Sequence, residues 1–150
     1  MREMLYLEDL AAGQRFKTAS HPLTQDEIIA FARHYDPQPF HIDPEAARHS
    51  FFGGLAASGW HTGAISMRLQ VESGPPLAGG MIGASLELTW PRPMRPGDTL
   101  HVESEILEVT PSRSRPDRGF ITLKSETKNQ KGEVVQLQTS KLLVWRRKPL

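Results

Sequence analysis

The sequence predicts an α+β domain in which one long helix is wrapped by a strongly curved antiparallel sheet. Three observations carry this. Ser58 opens a helix of about 59–71 with an apolar stripe and two glycines one turn apart. From Gly79 onward the hydropathy pattern switches to period two and yields four strands. The order is strand, helix, loop, long helix, then four antiparallel strands, and one helix wrapped by a curved sheet is the simplest architecture with that order. At 150 residues the chain has the size of one domain, and residues 1–150 are read as a single unit without repeats or linker.

Each element has a local reason. Leu5–Gly13 reads as a short lead-in, and Gln14–Ala19 as a first short strand broken by His21-Pro22. Thr24-Gln25-Asp26-Glu27 has the spacing of a capping box. The helix it opens places Ile28, Phe31 and Ala32 on one face and ends near His34-Tyr35, because Pro37 disfavours helical geometry before it. Asp43-Pro44 caps a second, short helix that gives way at Phe51–Gly54. In the long helix Trp60, Ala64, Met67 and Val71 form the apolar stripe, with Ile65 beside it. Gly59 and Gly63 each cost about 1 kcal/mol relative to alanine inside a helix, so close backbone approach to something is expected there. Leu86, Leu88 and Trp90 share one strand face, and Pro91 and Pro93 end that strand. Arg95-Pro96-Gly97-Asp98 is a turn, and the change of register at Ile106-Leu107 predicts a bulge. After a basic loop at 111–118, Phe120–Thr127 and Val134–Trp145 are two strands around the turn at 129–132.

Bulk composition narrows the function. Eighteen basic and seventeen acidic residues give a net charge of +1, which offers no argument for nucleic acid or a membrane surface. With no cysteine there is no thiolate or zinc–sulfur chemistry. The opening residues, MREMLYLEDLAAG, mix acids with apolar residues and lack the core of a signal peptide, so a cytoplasmic protein is expected. No stretch has the apolar length to span a bilayer. The modest apolar content points to surface completed by a partner subunit, and so few helices over a long sheet leave an edge that dimerisation would cover.

The chemistry concentrates in Asp36–Gly63. Asp36 and His41 stand five apart, with prolines at 37 and 39 that argue for a rigid extended loop rather than a helical face. A carboxylate and an imidazole aimed at one point can activate a shared water. The same residues also suit a turn opener and a hydrogen-bonded structural histidine. Ser58-Gly59 at a helix start offers unpaired N–H groups and a positive dipole end, suited to an oxygen gaining charge or to plain capping.

Asp36-Pro37-Gln38-Pro39-Phe40-His41 resembles the D-x-N-P-x-H motif of the MaoC-like dehydratases, the (R)-specific enoyl-CoA hydratases. Glu8–Phe16, Phe52-Gly53 before Ser58-Gly59, and Arg95–Leu100 match in order, so the resemblance covers nearly the whole chain. Gln38 stands where that pattern has asparagine, and Tyr35 where a glycine often precedes the aspartate. The resemblance implies a hot-dog fold, a dimer or higher homo-oligomer, and reversible hydration of a trans-2-enoyl-CoA to an (R)-3-hydroxyacyl-CoA. It implies Asp36 and His41 as the catalytic pair, the Gly59 N–H as holder of the thioester oxygen, and Ser58 beside it. Coenzyme A enters only as part of the substrate, with no metal or other cofactor. The rival readings are a hot-dog acyl-CoA thioesterase, which would release thiol from saturated acyl-CoA, and a non-catalytic acyl-thioester binder, which would be stabilised without turnover.

Other residues point less sharply. His49, His61 and His41-x-Asp43 match no standard zinc spacing. Arg92, Arg95, Arg113, Arg115 and Arg118 suit phosphate or solvated loops alike. Trp60 and Trp90 read as core, interface or acyl-pocket residues, and Arg146-Arg147-Lys148 as a solvated end.

Overall fold

Thr24 starts the first helix as expected: its hydroxyl accepts the Glu27 N–H at 3.2 Å, and the Glu27 carboxylate meets His21 Nε2 at 2.8 Å. The computed structural model describes residues 2–148. A 3-10 turn at Leu7–Asp9 leads to β1 (Arg15–Lys17) and β2 (His21–Pro22). The helices are α1 (Gln25–Tyr35), α2 (Pro39–Ile42), α3 (Pro44–Arg48) and α4 (Gly59–Ser73). Four long strands follow: β3 (Ile82–Thr89), β4 (Thr99–Pro111), β5 (Arg118–Lys128) and β6 (Val134–Trp145).

The sheet order is β1-β4-β5-β6-β3, antiparallel between neighbours, with β2 pairing to β4 beside this path. His21-Pro22, read as a break, is thus a two-residue strand, its proline allowed at a short edge. The bulge expected near Ile106 is present, between Ile106 and Glu108, and further register shifts lie at Gly83/Ser85 and Thr127/Lys128. Such shifts increase local twist and bend the sheet, and the curved sheet wraps α4, as expected for an α+β hot-dog fold. One apolar core lies around Ile28, Leu69, Met94 and Leu100, and a second around Leu7, Ile121, Leu123 and Val144.

Two local expectations are corrected. The double-proline stretch is not wholly extended. Pro39 takes the first position of the single-turn α2, where its missing N–H costs nothing and its fixed φ suits a helix. More consequentially, α4 turns its apolar stripe outward. Trp60, Met67 and Val71 are 64%, 40% and 56% exposed, while Thr62, Ser66 and Gln70 face the sheet buried beside Ile65 and Leu69. Thr62 Oγ1 donates to Ser58 O at 3.4 Å at the helix start, and Ser66 and Gln70 are tolerated because they bond across the interface. Ser66 Oγ meets Thr127 Oγ1 at 2.6 Å, Gln136 Nε2 donates to Ser66 Oγ at 3.3 Å, and Ser125 Oγ donates to Gln70 Oε1 at 3.3 Å.

Candidate active site

Asp36 ends α1 as its C-cap, its N–H still donating to Ala32 O at 2.8 Å. The chain then turns through Pro37 into α2, which carries His41. The His41 ring is buried, and its Nδ1–H donates to Ala56 O at 2.6 Å. That bond makes Nε2 the free nitrogen, and Nε2 lies 3.3 Å from Asp36 Oδ2. Gln38 Nε2 donates to the other carboxylate oxygen, Asp36 Oδ1, at 2.6 Å. The longer arm that replaces asparagine therefore still reaches the carboxylate. Burial alone would raise the Asp36 carboxyl, but the hydrogen bonds of Gln38 and Ser58 and the nearby His41 outweigh it and hold it below the ordinary aspartate value.

Asp36, His41 and Gly59 line one cavity of about 600 Å³, within the range of small-molecule sites. Phe52, Trp60, Trp90, Pro93 and Met94 supply much of its apolar wall. Gly59 is the first residue of α4, so its N–H lies outside the helix's own ladder at the positive dipole end. The expected close approach is real here: a Cβ at Gly59 would sit 2.7 Å from the Trp90 indole. Gly63 has only ordinary contact, 3.6 Å from a built Cβ to Gln136 Oε1. Trp90 is held in place by its Nε1–H, which donates to Gln136 Oε1 at 3.0 Å.

Ser58 does not line the cavity. It is fully buried behind the wall, where its hydroxyl caps α4 by accepting the Trp60 N–H at 3.2 Å. Tyr35 points outward, 74% exposed. Asp43 is occupied as the cap of α3, accepting from Glu45 and Ala46 N–H, and no cluster of three metal-ligand side chains exists among the described residues. Arg113, Arg115 and Arg118 do not line the cavity, whereas Arg92 and Arg95 do. Arg92 pairs with Glu133 at 3.0 Å. Arg95 is the residue the sequence reading undervalued: its guanidinium donates to the carbonyls of Phe52, Gly54 and Leu55. The turn it opens was legible, but the segment it grips, some forty residues upstream, was not.

Comparison with known proteins identifies the family. The MaoC like domain family matches residues 9–129. The crystal structure of the MaoC-like dehydratase from Rhodospirillum rubrum superposes with a TM-score of 0.95 at 64% identity, covering 97% of this chain and 99% of that one. The uncharacterized protein YdeM of Bacillus subtilis is 38% identical over 128 residues, 83% of this chain and 88% of that protein. The 3-hydroxybutyryl-CoA dehydratase of Methylorubrum extorquens is 31% identical over 114 residues, 75% of this chain and 70% of that enzyme. A match over most of the chain, on a shared fold and with the carboxylate–imidazole motif inside it, makes this chain a member of the MaoC-like domain family.

Proposed function

We propose that this protein is an acyl-thioester hydratase/dehydratase that adds water reversibly to a trans-2-enoyl-CoA, giving an (R)-3-hydroxyacyl-CoA. The observation that carries the proposal is the 3.3 Å approach of His41 Nε2 and Asp36 Oδ2 on the wall of a cavity that also holds the start of α4. The similarity to a 3-hydroxybutyryl-CoA dehydratase supports coenzyme A as the carrier.

In this reading the thioester oxygen accepts a hydrogen bond from Gly59 N–H, and the dipole of α4 stabilises the charge it gains as the enolate forms. A water held between Asp36 Oδ2 and His41 Nε2 gives up one proton to the pair as its oxygen bonds to C3. The pair returns one proton to C2. H and OH have then been added across the double bond, and the pair is back in its starting state. A depressed Asp36 carboxyl stays ionised at neutral pH and supplies the negative charge that receives the proton. Ser58 contributes by capping α4 and by its bond toward Asp36. The reaction needs no metal or redox cofactor.

The proposal includes a homodimer. Among the described residues β3 ends the sheet with a free edge, and Ile82 and Leu86 on it are 39% and 55% exposed. The outward stripe of α4 adds further apolar surface of the kind that a partner covers.

Loss of enoyl absorbance with a panel of trans-2-enoyl-CoA substrates tests the function. Asp36→Asn and His41→Ala should each lower kcat by on the order of 10²–10⁴-fold while the fold is retained. A panel without turnover, or either variant at the native rate, would refute it.

A further inference from the structure

We infer that Arg95 is a positioning residue for this site: it clamps the segment from which both the His41 tautomer and the start of α4 are set. The functional part of this inference rests on the hydratase reading above.

The segment between α3 and α4 is pinned at its far end, where Leu55 and Ala57 are buried in the core and Ala56 N–H donates to Phe40 O at 3.2 Å, and is freer at Phe51–Gly54. Residues 51–57 form neither helix nor strand and contain Gly53, at φ +63°, and Gly54. Two adjacent glycines give such a segment wide conformational freedom. Arg95 removes it. Its Nη1 donates to Gly54 O at 2.9 Å and to Leu55 O at 3.2 Å, and its Nη2 donates to Phe52 O. Next to it, Ala57 N–H donates to Met94 O at 2.9 Å. A rigid fork with several donors suits this task, whereas a lysine ammonium would not span the three carbonyls.

The guanidinium has no carboxylate partner among the described residues. The nearby Asp98 serves the turn instead. Asp98 Oδ2 accepts the Arg95 N–H at 2.8 Å, and its Oδ1 accepts from Gln130 Nε2 at 3.1 Å in the β5–β6 turn. Arg95 is therefore anchored at its backbone by the Asp98 carboxylate of its own turn and spends its charge on neutral carbonyls of one loop.

That loop carries the next carbonyl, Ala56 O, which takes the His41 Nδ1–H at 2.6 Å. The bond decides which ring nitrogen faces Asp36. Two residues further on, Ser58 and Gly59 begin α4. Release of the clamp would let Ala56 O move, let the imidazole exchange tautomers, and let the Gly59 N–H drift from the catalytic pair.

The test uses the full chain labelled with ¹⁵N-histidine and the variants Arg95→Lys and Arg95→Ala. Long-range ¹H–¹⁵N spectra report the His41 tautomer without any need for turnover. In the native protein Nδ1 should carry the proton. In both variants the His41 signals should shift toward an average of the two tautomers, with circular dichroism unchanged. On an enoyl-CoA that the native protein turns over, kcat should fall by on the order of 10²-fold, the scale of a misplacement near 1 Å. KM should stay near its native value, the pH profile should move, and added guanidinium should restore part of the lost rate in Arg95→Ala. An unchanged His41 tautomer overturns the inference. So does a loss confined to KM, which would make Arg95 a substrate-phosphate contact, or failure of both variants to fold. If the native protein turns over no enoyl-CoA, the hydratase reading fails, and the spectra still decide the clamp.

Discussion

Gly59 is where two demands meet in one residue. Its N–H must be free at the helix start, and its α-carbon must let the Trp90 ring lie against it. Alanine would ordinarily favour the helix by up to about 1 kcal/mol. Here its methyl would stand 2.7 Å from the indole, and such overpacking costs about 1–3 kcal/mol. Gly59→Ala should therefore lower thermal stability and turnover together. Adding Trp90→Ala should restore much of the stability, as a thermal-melt cycle of the two single variants and the double would show. Additive losses would mean that the contact does not matter. At this scale the sequence was most informative about identity. Asp36, His41 and Gly59 were legible from spacing and motif. That Ser58 stands behind the cavity wall, and that Gln38 reaches the Asp36 carboxylate, depended on distances no spacing encodes.

At the scale of elements, α4 shows what periodicity can and cannot decide. The spacing of Trp60, Ala64, Met67 and Val71 correctly marked one face of a helix. It could not say whether that face pointed in or out, because Thr62, Ser66 and Gln70 repeat at the same helical interval, and Ser66 and Gln70 find partners on the sheet. Once those bonds form, the polar face is the inner one and the apolar face is left for another surface. Met67→Glu places a charge in that stripe without touching the cavity lining. If the stripe is covered by a second copy, the substitution should weaken self-association by at least about 100-fold, roughly 3 kcal/mol. Sedimentation equilibrium checks this. Identical dissociation constants for the native chain and the variant would exclude the stripe from the interface.

At the scale of the molecule, His61 ties stability to pH. It lies buried in α4, stacked on Phe31 with centroids 4.5 Å apart, and its Nδ1 has no partner among the described residues. Burial lowers its pKa below 6.5; Glu27 opposes the shift and His21 adds to it. Above about pH 6.5 the imidazole is neutral in both folded and unfolded chains and carries no penalty. As pH falls through that value, the unfolded chain binds a proton that the folded chain refuses until its own lower pKa is reached. Stability should drop across this window. Urea unfolding between pH 7.5 and pH 5 should show the drop. His61→Phe, which keeps the stack and removes the unpaired nitrogen, should flatten it and leave stability at pH 7 unchanged or raised. The depressed Asp36 carboxyl acts lower on the scale: its contribution is present above about pH 3.8 and is lost as pH falls through its folded value.

The chain order of amino acids was enough to determine the α+β class, the element order, the caps at Thr24, Asp43 and Ser58, the bulge near Ile106, and the place where an acid, an imidazole and a helix start converge. The caps follow from interactions between residues close in sequence, and the rest from patterns of residue type along the chain. The tertiary structure alone decided which face of α4 lies inside, that Trp90 covers Gly59, and that Arg95 grips the loop behind His41. Those are contacts between residues about thirty to seventy positions apart, and their energies depend on geometry that exists only once the sheet has curled around the helix.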